Sequence, residues 1–110
     1  MNNTQTNIKI FNFQTMIRRL VKMTFQPDKT EDFIAIFEAS KLKIRGRAGC
    51  QHLELWRREH IFFTYSIWES EEALNNYRQS ELFKDTWSRT KALFAAKPEA
   101  WSLELQSETV

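Results

Sequence analysis

Apolar and polar positions along this chain follow two rhythms, a period of two and a period of three to four, and the changes between them mark the elements. In "MIRRLVKMTF", Met16 to Phe25, the residues Ile17, Val21, Met23 and Phe25 share one face of a strand, with Arg19 interrupting them. Arg18, Lys22 and Thr24 lie opposite with Leu20. "QPDKTEDF" then opens a helix, with Asp28 as N-cap and Glu31 three residues on, in the manner of a capping box. Phe33, Ile36, Phe37, Ser40 and Ile44 form its apolar stripe. Lys41, Lys43, Arg45 and Arg47 gather near its C-terminal end, where cations suit the helix dipole, and "GRAG" terminates it.

Cys50 to Arg58 reads as a second strand, with Leu53 and Leu55 on one face and Cys50, His52, Glu54 and Trp56 on the other. A tight connection at Arg58, Glu59 and His60 leads into a third strand, Ile61 to Trp68, so the two form a hairpin. Ser70 caps the next helix, with Glu71 and Glu72 in its first turn. Ser80 and Glu81 give a second start, which predicts a break near Arg78 to Ser80. The longer half carries Phe83, Thr86, Trp87, Thr90, Leu93 and Phe94 on one stripe, and Pro98 is expected to stop it. "AWSLEL" closes the chain as a final strand.

The order strand, helix, strand, strand, helix, strand folds most simply as α+β: a ferredoxin-like βαββαβ plan with a four-stranded antiparallel sheet. Both helices lie on one face, and the first and third strands are central. The third strand then poses a problem, because Phe62 and Phe63 are adjacent and must point to opposite sides. On the uncovered face the pattern places Phe62, Trp68 and Trp56, or their alternates if the register is reversed, enlarged by Leu20 and Cys50. Three aromatics at about 150–250 Å² each rival the largest apolar patch of a typical monomer, about 300–600 Å². A second copy of the sheet is the simplest cover, so a homodimer with facing sheets is expected. The first fifteen residues, "MNNTQTNIKIFNFQT", are the rival: a flexible extension upstream of a start at Met16, or an added strand through "IKIFNF" that folds over that face. Residues 16–106 make the domain, and 107–110 a tail.

Composition narrows the function classes. At 110 residues the chain is one domain with 42% apolar content, enough for a core. Sixteen Lys and Arg against fourteen Asp and Glu leave +2, which gives no electrostatic reason to expect nucleic acid or a membrane surface. An RNA-recognition motif shares this strand–helix order, but "HIFFTYSIW" has neither the glycine nor the basic residue that its third strand needs. One cysteine, Cys50, permits no internal disulfide and no cysteine-based metal cluster. Two histidines at unrelated positions add no credible metal site. No apolar run approaches the roughly 20 residues of a membrane helix, and the N-terminus lacks the order of a secretion signal. A cytoplasmic protein without a cofactor is the expectation.

"MIRRLVKMTFQPDKTEDFIAIFE", "GCQHLEL" and "FFTYSIWESEEALNNYRQSELFK" resemble the antibiotic biosynthesis monooxygenase family, from about Met16 to Leu105. The resemblance implies a dimeric α+β barrel of two ferredoxin-like halves, with a pocket between sheet and helices in each subunit. It also implies oxidation of phenolic or quinol substrates without flavin or metal, or heme degradation in some relatives. The heme-degrading relatives use an Asn, a Trp and a His where this chain has Val21, Tyr77 and Trp87, which argues against that activity. Quinol-oxidising relatives often carry His at the position of Tyr77 and another in the loop that here reads "SELF". Many members have Glu where this chain has Ser66.

Within that pocket Tyr77 is the first catalytic candidate, as a hydrogen-bond partner for a substrate phenolate; a phenol of pKa about 10 is a poor base. His52 is the second, because Glu54 shares its strand face two residues on and suits a His–carboxylate pair. An interface histidine is the competing reading. Val21, Met23, Phe63, Tyr65, Phe83 and Trp87 are the expected ligand-binding walls, with Phe63 and Tyr65 there only if their face meets the helices. Two functions remain open: a cofactor-free monooxygenase on a small aromatic or quinol-like substrate, and a non-catalytic dimeric barrel that binds a small apolar metabolite.

Overall fold

A computed structural model describes residues 16–110. Four strands, β1 (Ile17–Thr24), β2 (Cys50–Arg58), β3 (Ile61–Trp68) and β4 (Glu99–Leu103), form one antiparallel sheet in the order β2-β3-β1-β4. Three helices, α1 (Thr30–Arg45), α2 (Glu71–Arg78) and α3 (Glu81–Lys91), pack on one side of it. This is the predicted ferredoxin-like plan, with β1 and β3 central. The predicted split of the second helical region is also present. Ser70 Oγ accepts the Ala73 N–H at 3.1 Å, and Ser80 Oγ accepts the Phe83 N–H at 3.2 Å, so each half has its own N-cap.

Strand β3 presents the alternate face, while Trp56 and Leu20 lie on the open side as expected. Phe62 and Trp68, each 1% exposed, point to the helices. Phe62 joins Met23, Phe25, Phe33 and Phe37 in one core cluster, and Trp68 joins Cys50 and Leu74 in another. The alternates Phe63, Tyr65 and Ile67 lie on the opposite face, beside Trp56 of β2 and Leu20 of β1. Phe63 and Tyr65 therefore do not line the helix-side pocket. The physical reason is the partner strand: Met23 pairs with Phe62, and Ile17 with Trp68, so the buried face of β1 selects those residues of β3. Cys50 is inward because the β2–β3 register shifts between Cys50 and His52, and this bulge puts the two residues on opposite faces. A regular period of two had placed them together.

Three boundaries also differ from expectation. Asp28 is no N-cap; it sits in a short 3₁₀ turn, Pro27–Lys29, and α1 starts at Thr30 with no side-chain cap. The last helix ends at Lys91, well before Pro98. There Phe94 makes an isolated bridge to Phe25, with the Ala95 N–H donating to Thr24 O at 2.8 Å, so edge pairing replaces the helical turn. β4 starts one residue earlier than "AWSLEL" and stops at Leu103. The extension Met1–Thr15, read as a tail or an added strand, lies outside the described residues.

One glycine is sterically required. Gly49 takes φ +87°, and a Cβ on it would lie 2.4 Å from the Ala73 Cβ, so the start of α2 rests on bare backbone. The Glu69 N–H donates to Gly49 O at 2.8 Å and ties the two segments together.

If Phe62 rather than Phe63 holds the core, Phe62→Ala costs about 3–5 kcal/mol in unfolding free energy. Leu42→Ala, on an exposed helix position, stays within about 0.5 kcal/mol. Urea titration followed by tryptophan fluorescence measures both.

Candidate functional site

The helix-facing side of β3 reads Phe62, Thr64, Ser66, Trp68: two large aromatics with two small residues between them. Opposite that gap α1 presents Ser40, whose hydroxyl donates to Ile36 O at 2.8 Å instead of reaching across. Small side chains facing one another leave space, and a cavity of about 360 Å³ opens between sheet and helices. It separates the two core clusters, with Met23, Phe33 and Phe37 at one end and Trp68, Leu74 and Tyr77 at the other. A volume in this range suits a small organic ligand.

Five expected site residues converge there: Val21 and Met23 from β1, Tyr77 from α2, and Phe83 and Trp87 from α3. Their rings form a continuous aromatic wall. Tyr77 stacks on Trp68 with centroids 5.0 Å apart, meets Phe83 edge-on at 5.2 Å, and Phe83 stacks on Trp87 at 5.9 Å. Burial pushes the Tyr77 phenol up to about 12, with a further push from Cys50 and a smaller pull downward from Arg47. The phenol is thus a neutral hydrogen-bond donor across the physiological range and no general base.

Three expected residues lie elsewhere. Phe63 and Tyr65 face the other side of the sheet, as the register requires. His52 is on that side too, with its ring 6.1 Å from that of Tyr65. The predicted pairing with Glu54 is present at 2.7 Å, and the other Glu54 oxygen accepts the Trp56 indole N–H at 2.7 Å. The His52 hydrogen bond, then that of Trp56, holds the Glu54 carboxyl below its ordinary range. Within a single chain this His–Glu–Trp group lies across the sheet from the cavity.

The sequence reading missed the polar members of the lining. Arg19, Arg78, Thr64 and Ser66 all border the cavity. The signal for Arg19 was its interruption of an otherwise apolar strand face; Arg78 carried none, because a basic residue ending a helix is ordinary. Ser66 Oγ accepts the Trp68 indole N–H at 3.0 Å, which fixes the Trp68 ring in the wall. Among the described residues, no group of three or more His, Cys, Asp and Glu side chains is arranged to hold a metal ion.

The raised Tyr77 pKa sets a sign for alkaline stability. The folded state keeps its proton above the unfolded pKa near 10, so stability is whole below about 10 and is lost as pH rises toward 12. The loss amounts to roughly 2–3 kcal/mol between those limits. Tyr77→Phe should flatten that part of the stability–pH curve, as measured by chemical denaturation at a series of alkaline pH values.

Comparison with known proteins places this geometry. The sequence profile described as antibiotic biosynthesis monooxygenase matches residues 16–88, well over half of the chain. Among curated proteins none matches the sequence. Solved structures do match. A conserved protein from Methanosarcina mazei Go1 superposes with TM-score 0.83 at 17% identity, covering 88% of this chain and 99% of its own. A protein from Caulobacter crescentus CB15, named as a candidate antibiotic biosynthesis monooxygenase, gives 0.79 at 22% identity and covers 92% and 99%. A structure named antibiotic biosynthesis monooxygenase gives 0.78 at 13% identity, covering 83% and 99%. At these identities the structural matches speak to the fold.

Proposed function

The chain belongs to the antibiotic biosynthesis monooxygenase family, and on that premise we propose that it is a cofactor-independent monooxygenase acting on a small aromatic or quinol-like substrate. One observation carries this reading: Tyr77 lines a cavity otherwise dominated by aromatic and aliphatic side chains. A phenol or quinol that loses its proton becomes electron-rich and passes an electron to oxygen. Recombination forms a C–O bond at a ring carbon bearing hydrogen. Loss of water then gives the quinone: one oxygen atom of O₂ enters the product, the other leaves as water, and the substrate supplies all four electrons. Such chemistry asks the protein to orient a ring, favour its anion and exclude water.

The roles follow from the geometry. Val21, Met23, Phe83 and Trp87 hold the ring, and Tyr77 donates a hydrogen bond to its oxyanion. Tyr77 does not take the proton. His52 has no part in this chemistry within one subunit. The second reading, a non-catalytic barrel that binds a small apolar metabolite, is favoured by that same phenol, since Tyr77 stands where related enzymes use an ionisable imidazole.

The open sheet face supports a homodimer. Leu20, Phe63, Tyr65 and Ile67 share it with Trp56, 59% exposed, and with Trp101 and Leu103 of the edge strand, 42% and 46% exposed. A patch of this kind suits a self-complementary two-fold contact. Among the described residues no helix is long and apolar enough to cross a membrane.

Aerobic incubation with a panel of hydroxylated naphthalenes and quinols, followed by oxygen uptake, tests the enzyme reading. Turnover should fall about 10²-fold in Tyr77→Phe, the scale of losing one oxyanion donor. Uptake no greater than that of the variant across the panel would leave the carrier reading standing. For assembly, light scattering at micromolar concentration should give twice the chain mass, and Trp56→Glu should shift it toward the monomer.

A further inference from the structure

Arg19 is the one charged residue on the helix side of β1, between Ile17 and Val21. It pairs in register with Ser66 of β3 on one side and Ser102 of β4 on the other, and its Nη1 donates to Ser102 Oγ at 3.0 Å. Arg78, the last residue of α2, borders the same cavity. Burial lowers the Arg19 pKa, and the nearby positive charge of Arg78 lowers it further. Among the described residues neither guanidinium has a carboxylate within ion-pair distance. Glu99 also borders the cavity, but its carboxylate lies 3.7 Å from Lys22 Nζ, on the other face of β1 from Arg19. It pairs with Lys22, three positions along β1 from Arg19, roughly 10 Å away at strand rise.

Two like charges bordering one cavity repel each other, and a counter-charge between them would relieve the repulsion. The neighbouring polar groups have the same sense. Ser66 Oγ already accepts from Trp68, so its own O–H is left to donate. The neutral Tyr77 phenol donates as well. Arg19, Arg78, Ser66 and Tyr77 thus bring donors to a cavity whose remaining lining is mostly aromatic and aliphatic.

We propose that the cavity takes a flat aromatic anion, whose charged oxygen docks between the Arg19 and Arg78 guanidinium groups while its ring lies along Phe83 and Trp87. This rests on the cavity being the substrate pocket, and it narrows the substrate class from neutral quinols to aromatic acids or acidic phenols. The two sources of the anionic oxygen, a carboxylate substituent and the reacting phenolate, share the same recognition chemistry. Planar, bidentate donors suit either.

Equilibrium binding by calorimetry tests it without turnover, using 2-naphthoate, its methyl ester and 2-naphthol as probes. Naphthoate should bind at least about tenfold more tightly than the ester, as expected for charge-assisted hydrogen bonds, with the gap closing as salt rises. Arg19→Gln and Arg78→Gln should each remove most of that gap while leaving ester affinity within about twofold, and Arg19→Lys should restore part of it. Arg78 is exposed, so its variant reports even if Arg19→Gln is poorly folded. If the reacting oxygen is the charged one, naphthol should tighten as pH rises from neutral toward about 10, where it ionises. Equal affinity for naphthoate and ester together with no tightening of naphthol, or an unchanged gap in both glutamine variants, overturns the proposal. So does an absence of naphthoate binding at millimolar concentration. Charge discrimination without oxygen uptake would sink the monooxygenase reading and leave this one intact; uptake of neutral quinols unaltered in both variants would do the opposite.

Discussion

Strand β3 is apolar on both sides, and a single layer of helices can dry only one of them. Successive residues of a strand point apart, so Phe62 and Phe63 cannot share an environment. Phe62 closes a core with Phe25 and Phe33, its ring edge-on to both at 5.5 and 5.2 Å. Phe63 faces away from the helices, level with Trp56 of the neighbouring strand. The same strand also sets the interior. Its inward series runs large, small, small, large, so Phe62 and Trp68 act as posts with a gap of Thr64 and Ser66 between them. Apolar burial on one side, an apolar surface turned away from the helices on the other and a cavity in the middle all follow from eight residues.

Much of this was legible because the signals were local. The bounds of β2 and β3 could be read from alternation, and the two-part helix from Ser70 and Ser80, each of which caps its own half. The side of β3 that turns inward was not legible. Phe62 and Trp68 on one face, and Phe63, Tyr65 and Ile67 on the other, are both apolar enough to be buried, and only pairing with β1 decides between them. The bulge between Cys50 and His52 has no sequence mark, yet it reverses Cys50. The early end of α3 depends on a long-range bridge, Phe25 to Phe94, which local patterning does not contain.

The candidate site shows the same division. Val21, Met23, Tyr77, Phe83 and Trp87 were expected together and border one cavity. Phe63 and Tyr65 went astray with the strand face. Arg19 was visible only as an irregularity, and Arg78 comes from an element 59 positions further along the chain, so their juxtaposition belongs to tertiary structure. Buried polarity in this compartment is uneven in cost. A neutral phenol is tolerated there at small expense, whereas a guanidinium keeps its charge and must find compensation.

The bare backbone at Gly49 has a consequence for the placement of the aromatic wall. Ala73 rests against that backbone, and Tyr77 follows it by one helical turn on the same side of α2. Any side chain introduced at 49 wedges the helix outward, and Tyr77 travels with it. The width of the cavity is thereby tied to a position outside its lining. The positive φ and the 2.4 Å approach at Gly49 thus tie the placement of the aromatic wall to that same residue.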